Sequence, residues 1–500
     1  MITLTRRVHF SEAAALYDDE SVNSAPPAVN TMLRAYLYLK TDAAAAVRFL
    51  LKNRAHISKT SEASTMELYF AIGYARLNDF EQADRHFDQA ADRAMGPNAA
   101  FLARVAYERA RRYLMERRIE EAWTAYGETL KDRSLRGRVH SEQLKSFIFC
   151  REERFDKQAA AMLKAARLMD SRRSDFLEYW YLSVQTLAMI AREMILPQAR
   201  QYAEKALDDG DPWPPDVAIN HFQALKAIGW CKALAGDQLS CFRYLRHAQE
   251  VAPDAAWRAM VHLDRGYFAR TIGETQWSLN ELAQAEEIAE PVEWANCQSE
   301  ERIALLLFAE LFAAVDKEKA AFYIARYNAL GKLASPLLHF AHDNRLAALA
   351  AYATGVVREA NGALDHAHVS YKASWDTFDR IGYEWRAGRA ATRLFSLTGS
   401  RRWKLSAQHA LETYPRAWLW DELKKANPRR SRVRKNDLTP AQATVLGMIR
   451  KGMSTHEIAH TLGRSQSTVR NHLKVIFKVY GVRSRVALVA EAARKERVSS

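Results

Sequence analysis

A chain of 500 residues with 48% hydrophobic, 26% charged and 10% aromatic side chains has room for several domains and can bury a large core. Its 19 glycines and 13 prolines are too few for an all-β sandwich or barrel, and they exclude collagen-like and long disordered architectures. The net charge of +14 is unevenly placed: residues 429–500 carry sixteen Lys/Arg against four Asp/Glu, so +12 falls in the last seventh of the chain, and charge packed into one small region marks a surface for a polyanion.

Residues 1–30, beginning MITLTRRVHFSEAAALYDDE, contain no apolar signal-peptide core, and nowhere do 18 apolar residues run together. A cytoplasmic protein with no membrane partner is expected. Cys150, Cys231, Cys241 and Cys297 are far apart and form no CxxC, so they read as small buried hydrophobes in a reducing compartment.

From about residue 31 to 420, Ala, Leu, Glu, Arg and aromatics recur at helical spacing, and such a stretch is tested first for a repeat. Ala71, Tyr74, Ala83, Phe87 and Ala90 have spacings of 3, 9, 4 and 3, with Asn78-Asp79 between the halves; Ala110, Tyr113, Ala122, Tyr126 and Thr129 repeat them. Two helices joined by a short polar turn, with small residues where they cross and aromatics between hairpins, give this pattern. It resembles the tetratricopeptide repeat. Looser copies follow at Phe149/Met162/Ala165, Ala199/Ala203/Ala206, Gly229/Cys241/Leu245/Ala248, Gly266/Ser278/Leu282/Ala285, Ala320/Ile324/Tyr327, Gly355/Ala367/Tyr371 and Ser406/Ala410. The second-helix anchors 83, 122, 158, 199, 241 and 278 lie 36 to 42 apart, longer than the roughly 34 of a strict repeat. A less regular all-α bundle would also show alanines and aromatics at this spacing. Either scaffold offers a groove for a peptide, a partner protein or a small-molecule effector, and neither supplies chemistry.

Catalytic signatures are missing from this region: there is no GxxxxGK[ST] loop, GxGxxG or GxSxG. The pairs His339/His342 and His366/His368 read as polar helix residues. Trp180, Trp230, Trp257, Trp277 and Trp294 read as core. No cofactor or metal is expected.

Residues 421–437, DELKKANPRRSRVRKND, change texture and read as a basic linker. Beyond it, Thr439 suits an N-cap and Pro440 the first helical position; Val445, Leu446 and Ile449 form an apolar stripe, and Gly452 ends the helix. Ser454 with Glu457 is a capping box opening a second helix to Leu462. The turn Gly463-Arg464-Ser465 leads to a third helix, residues 465–480, burying Val469, Leu473, Ile476 and Tyr480 and presenting Ser467, Arg470, Asn471, Lys474 and Lys478 on its free face. Gly481 closes it, a fourth helix runs from Ser484 to about Ala493, and a basic tail, 494–500, follows. Two short helices joined by a tight turn, the second cationic, suit a major groove.

The segment 438–493 resembles the DNA-binding domain of the LuxR/GerE family of bacterial transcription regulators. The landmarks are Leu438-Thr439-Pro440, Val445-Leu446, Gly452-Met453-Ser454, Glu457-Ile458-Ala459, Leu462, Ser465, Thr468-Val469, His472, Ile476, Gly481-Val482, Arg485 and Ala487. The resemblance implies base contacts from Arg470 and Lys474 with Asn471 between them, chemistry suited to guanine O6/N7 and adenine N6/N7. Thr455, Ser465, Thr468 and Lys478 are placed for phosphates. Pairing as a homodimer on double-stranded DNA through the fourth helix (Val486, Leu488, Val489) is implied too. Three departures stand out: Gln442 and Val479 replace a Glu and a Lys, and Arg464 replaces a buried aliphatic residue, which predicts that Arg464 snorkels outward as an additional DNA contact.

His456-Glu457-Ile458-Ala459-His460 is formally HExxH, a zinc-protease pattern, but capping explains Glu457 and packing explains Ile458 and Ala459. The expectation is an all-α regulator and not an enzyme: a degenerate tetratricopeptide-like solenoid followed by a helix-turn-helix. The alternative is an interaction scaffold with a non-specific basic nucleic-acid tether.

Overall fold

The computed structural model describes residues 27–94, 98–209, 213–214, 217–297, 299–330, 343–426, 438, 440–480, 482, 484–485, 487–489 and 491–492. The expectations placed on residues 1–26, His339, His342, 427–437, Thr439, Gly481, Val486 and 494–500 lie outside the described residues, as do those on the side chains of Lys478 and Val479. The chain divides into two units, residues 1–393 with 402–425, and 394–401 with 426–500.

The first unit is a series of helical hairpins: α1 (Pro27–Thr41) with α2 (Ala43–Ile57), α3 (Ala63–Arg76) with α4 (Phe80–Asp92), α5 (Ala99–Met115) with α6 (Ile119–Thr129), α7 (Leu135–Arg151) with α8 (Phe155–Met169), and α9 (Leu177–Glu193) with α10 (Pro197–Asp208). It continues through α11 (Ala218–Leu234) and α12 (Gln238–Glu250), α13 (Ala255–Thr271) and α14 (Thr275–Ala289), α15 (Ser299–Phe312) and α16 (Lys317–Ala329), α17 (Asp343–Ala360) and α18 (Leu364–Arg380), and α19 (Glu384–Thr398) and α20 (Arg401–Leu411). The short α21 (Leu419–Lys425) follows, so residues 421–425 are helical, with Leu423 buried, and not part of a linker as their charge suggested.

Most turns inside the hairpins share one device. Six are three residues long with the middle residue left-handed: Asn78 and Arg117 (φ 62°), Glu153 (59°), Gly236 (80°), Gly273 (90°) and Gly362 (76°). The next residue donates its N–H back across the helix end, as from Asp79 to Tyr74 O (3.0 Å), Arg118 to Tyr113 O and Ala363 to Arg358 O (both 2.9 Å). This closure satisfies carbonyls that the helix C-terminus leaves open and fixes the antiparallel return. Asn and Gly take the left-handed conformation cheaply; Arg117 and Glu153 do so at a cost of roughly 1–2 kcal/mol.

Small residues at the crossings do what their spacing predicted: Ala71, Ala83, Ala90, Ala110, Ala122, Ala203, Cys241, Ala248, Ala285, Ala320 and Ala367 are buried. A Cβ added to Gly355 would lie 2.7 Å from the Tyr371 ring, which sets how closely α17 and α18 approach. Three details of the pattern are corrected. In α20 the buried residues are Trp403, Ala407 and Leu411, one position off from Ser406 and Ala410. Trp277 is half-buried, its indole N–H donating to Glu281 (2.8 Å). Cys297 is half-buried as well, whereas the other three cysteines are buried.

An open solenoid would keep a polar inner face on its first helices, but here α7, α9, α11 and α13 are buried on nearly all sides. The reason is that the repeats curl back on themselves. Trp385 Nε1 of α19 donates to Arg192 O of α9 (2.9 Å), Trp418 Nε1 to Tyr267 OH of α13 (3.1 Å), and Asn344 Nδ2 of α17 to Glu153. Trp230, Tyr267, Phe268, Trp385 and Trp418 form one aromatic cluster, with ring centroids 4.7–6.4 Å apart.

Ion pairs complete the closure. Glu193, 2% exposed, accepts from Arg192 Nε and Arg386 Nη2 (both 2.9 Å) and from Arg386 Nε, with Arg345 Nε 3.6 Å away. Burial pushes its carboxyl up, but the three guanidiniums outweigh burial and hold it far below the usual carboxylate range. Glu310 pairs with Arg389 and Glu300 with Arg345 in the same interior.

Candidate nucleic-acid interface

In the second unit α22 (Pro440–Arg450), α23 (Thr455–Thr461) and α24 (Gln466–Tyr480) enclose a core of Val445, Leu446, Ile449, Ile458, Ala459, Val469, Leu473 and Ile476. Leu488 and Ala492 join it, and residues 485, 487–489 and 491–492 are helical, as a fourth helix requires. Ser484 Oγ caps that helix by accepting from Ala487 N–H (3.2 Å), and Arg485 Nη2 reaches back to the Met453 carbonyl.

Each end of the short α23 is specified locally. Ser454 Oγ accepts from Glu457 N–H (3.2 Å) while Glu457 Oε2 accepts from Ser454 N–H (2.6 Å), a complete capping box. That backbone bond holds Glu457 below its ordinary value and commits its carboxylate. At the other end Gly463 is left-handed (φ 58°) and Arg464 N–H donates to Ala459 O (2.9 Å), so the chain reverses within three residues. Ser465 then caps α24, its Oγ accepting from Thr468 N–H (3.2 Å) and also lying within hydrogen-bond reach of the Ser467 and Thr468 hydroxyls.

This geometry displays α24. Val469, Leu473 and Ile476 point into the core, which turns Ser467, Arg470, Asn471 and Lys474 to solvent, all exposed. Arg464 is exposed too, so it does not take the buried place of an aliphatic residue. Thr455 and Thr468 are half-buried and Ser465 is exposed at the helix starts. Arg470 Nη2 lies 3.5 Å from Gln466 Oε1, one turn back, an orienting contact that sequence reasoning missed although the i, i+4 spacing carries it.

Val475, 44% exposed beside Asn471 and Lys474, was also missed; apolar residues are read as core by default, and only the register of α24 turns this one outward. The expected dimer surface needs correction at Leu488, which is fully buried in the domain core, whereas Val489 is half-buried at its edge. The HExxH histidines are exposed on a seven-residue helix, and among the described residues no cluster of three or more metal-ligating side chains occurs.

Residues 436–492 match the family model of bacterial regulatory proteins, luxR family. The C-terminal domain is thus of the LuxR helix-turn-helix type. The match leaves the repeat region untouched. Nothing among curated proteins matches the chain. Solved structures similar to it include the APC/C hetero-tetramer Cut9-Hcn1 (13% identity, 96% of this chain and 86% of that one, TM-score 0.35) and yeast Tom70 (11%, 95% and 97%, 0.32). Naa15/Naa10 bound to HypK-THB follows (12%, 98% and 84%, 0.23). At these TM-scores the likenesses add nothing to the helical-hairpin fold of the chain itself. Among the described residues no helix is long and apolar enough to cross a membrane.

Proposed function

We propose that this chain is a sequence-specific transcription regulator and not an enzyme, with α24 in the major groove of promoter DNA. The observation that carries the reading is the exposed row Arg470, Asn471 and Lys474 on the recognition helix of a LuxR-type domain. Arg470 and Lys474 donate to guanine edges and Asn471 to adenine, while Val475 offers an apolar contact to a thymine methyl. Thr455, Ser465 and Thr468 hold phosphates around the two helix N-termini, joined by Arg464 at the turn, and Lys478 holds one near the C-terminal end of α24. Two copies pair on DNA through the fourth helix at Val489 and its neighbour Val486, and a ligand or protein bound by the repeats controls that pairing.

Selection of the full-length protein against a random duplex library tests this. A recovered motif, preferably an inverted repeat, must bind orders of magnitude tighter than random duplex. Arg470→Ala and Lys474→Ala should each cost about 1–3 kcal/mol and relax preference at one position, whereas Lys478→Ala should weaken all sequences alike and lower the salt slope by about one. Uniform binding that simply falls with salt would instead favour a scaffold with a non-specific tether.

A further inference from the structure

The closure of the repeats leaves a cavity between α9, α11, α13, α15, α17 and α19. Its volume is about 700 Å³, counting space open to solvent. Trp230, Met260 and Phe378 make an apolar wall. Against it stand ionised groups whose hydrogen-bonding capacity the protein leaves partly unused. Asp264 is fully buried; Lys226 Nζ pairs its charge at 3.0 Å from Oδ2, and Oδ1 has no hydrogen-bond partner among the described residues. On the other side Arg389 Nε and the Tyr352 hydroxyl, both on buried residues, are likewise without a hydrogen-bond partner, whereas Arg345 Nε is turned to Glu193 at 3.6 Å.

Such groups are costly to bury unsatisfied, and they sort by chemistry. Asp264 is an acceptor with room for an N–H; Arg389 Nε and the Tyr352 hydroxyl are donors with room for an oxyanion. The lining carries Arg192, Lys226, Arg345, Arg386 and Arg389 against Asp264, Glu300 and Glu310, and Glu193 behind it brings five cations to four carboxylates. This excess of one positive charge excludes a multiply charged anion, and the unpartnered Asp264 acceptor beside the unpartnered donors selects a molecule bearing one charge of each sign.

We propose that this cavity binds a free α-amino acid with an apolar side chain. Its ammonium donates to Asp264, its carboxylate accepts from Arg389 and Tyr352, and its side chain packs on Trp230, Met260 and Phe378. The control of DNA binding that this would exert rests on the regulator reading above; the site itself rests on the cavity alone. Because the lining comes from hairpins far apart in sequence, occupancy ties the closure of the solenoid together, which is a route from ligand to assembly state.

Purified full-length protein is titrated by calorimetry and thermal shift with leucine, methionine and phenylalanine, and with the N-acetyl and amide derivative of each. At least one free amino acid should bind one to one and raise the melting temperature, and its N-acetyl and amide forms should bind at least about tenfold more weakly, each losing one charge-assisted bond. Asp264→Asn should weaken binding at least about tenfold, and Tyr352→Phe, which keeps the ring packing, several-fold. Equal binding of the N-acetyl form would overturn the zwitterion assignment in favour of a carboxylate site. Absence of binding by all three amino acids at millimolar concentration to folded protein would remove the site while leaving selection on DNA unaffected. Binding with no change in operator affinity would support the site and refute its regulatory use.

Discussion

Glu193→Gln tests whether the repeat unit depends on its closure. The carboxylate has three donors within hydrogen-bond distance and a third guanidinium, Arg345, at 3.6 Å, while itself being 2% exposed. Glutamine keeps one acceptor oxygen and turns the other into an NH2 that faces guanidinium N–H groups. Two effects add: loss of charge-assisted hydrogen bonds, and three cations left with less compensation in a water-poor interior. Removing one partner of a buried pair costs about 3–5 kcal/mol, and a shared anion belongs at the upper end. The assay is urea unfolding followed by tryptophan fluorescence, because Trp385 reports directly: its indole bonds Arg192 O and Arg386 lies 4.2 Å over its ring. Hydrogen exchange should show α9 and α19 losing protection before α3 to α6, since repeats lose structure piecewise. A loss below about 1 kcal/mol would show that the interior is held by aromatic packing and that the ion-pair hub is incidental.

Acid should unfold the repeat unit early. Glu108 is buried against Arg104 and Arg111, which outweigh burial and bring it down to about 2, and Glu193 and Glu310 are depressed in the same way. A carboxyl lowered on folding stabilises fully above its unfolded value near 4.5 and loses that contribution as pH falls toward the folded value. For Glu108 this is about 3 kcal/mol lost between roughly pH 5 and 2, and Glu108→Gln should flatten that limb of the melting temperature against pH. Gly355→Ala should destabilise by about 1–3 kcal/mol through overpacking on Tyr371, which is fully buried, read as the shift in urea midpoint. Ser454→Ala removes one bond of the capping box and should cost the C-terminal domain about 1 kcal/mol, seen as lower helicity near its melting temperature, with base preference unchanged.

The DNA-binding domain was almost wholly legible because its determinants are local. The Ser454/Glu457 box, Gly463 at the turn and the apolar stripe of α24 each act within a few residues, so the face carrying Arg470, Asn471 and Lys474 followed from the helical period alone. The hairpins were legible for the same reason, from alanines at crossings and turn pairs such as Asn78-Asp79 and Gly236-Asp237. Where the residue type was silent, as at Arg117 and Glu153, the backbone closure of the three-residue turn still takes a left-handed residue. Leu488 was placed on the pairing surface by the family resemblance, which does not say which side of this helix meets the core. The closure was not legible at all. Nothing in the sequence sets Glu193, Asp264, Glu310, Arg345 and Arg389 apart from other helix charges, and only contacts between residues up to two hundred positions apart, such as Glu193 with Arg386, place them inside. Local periodicity fixes which face of each helix is apolar, whereas the curl accumulated over successive hairpins decides what that face meets, and that sum is a property of the assembled tertiary structure.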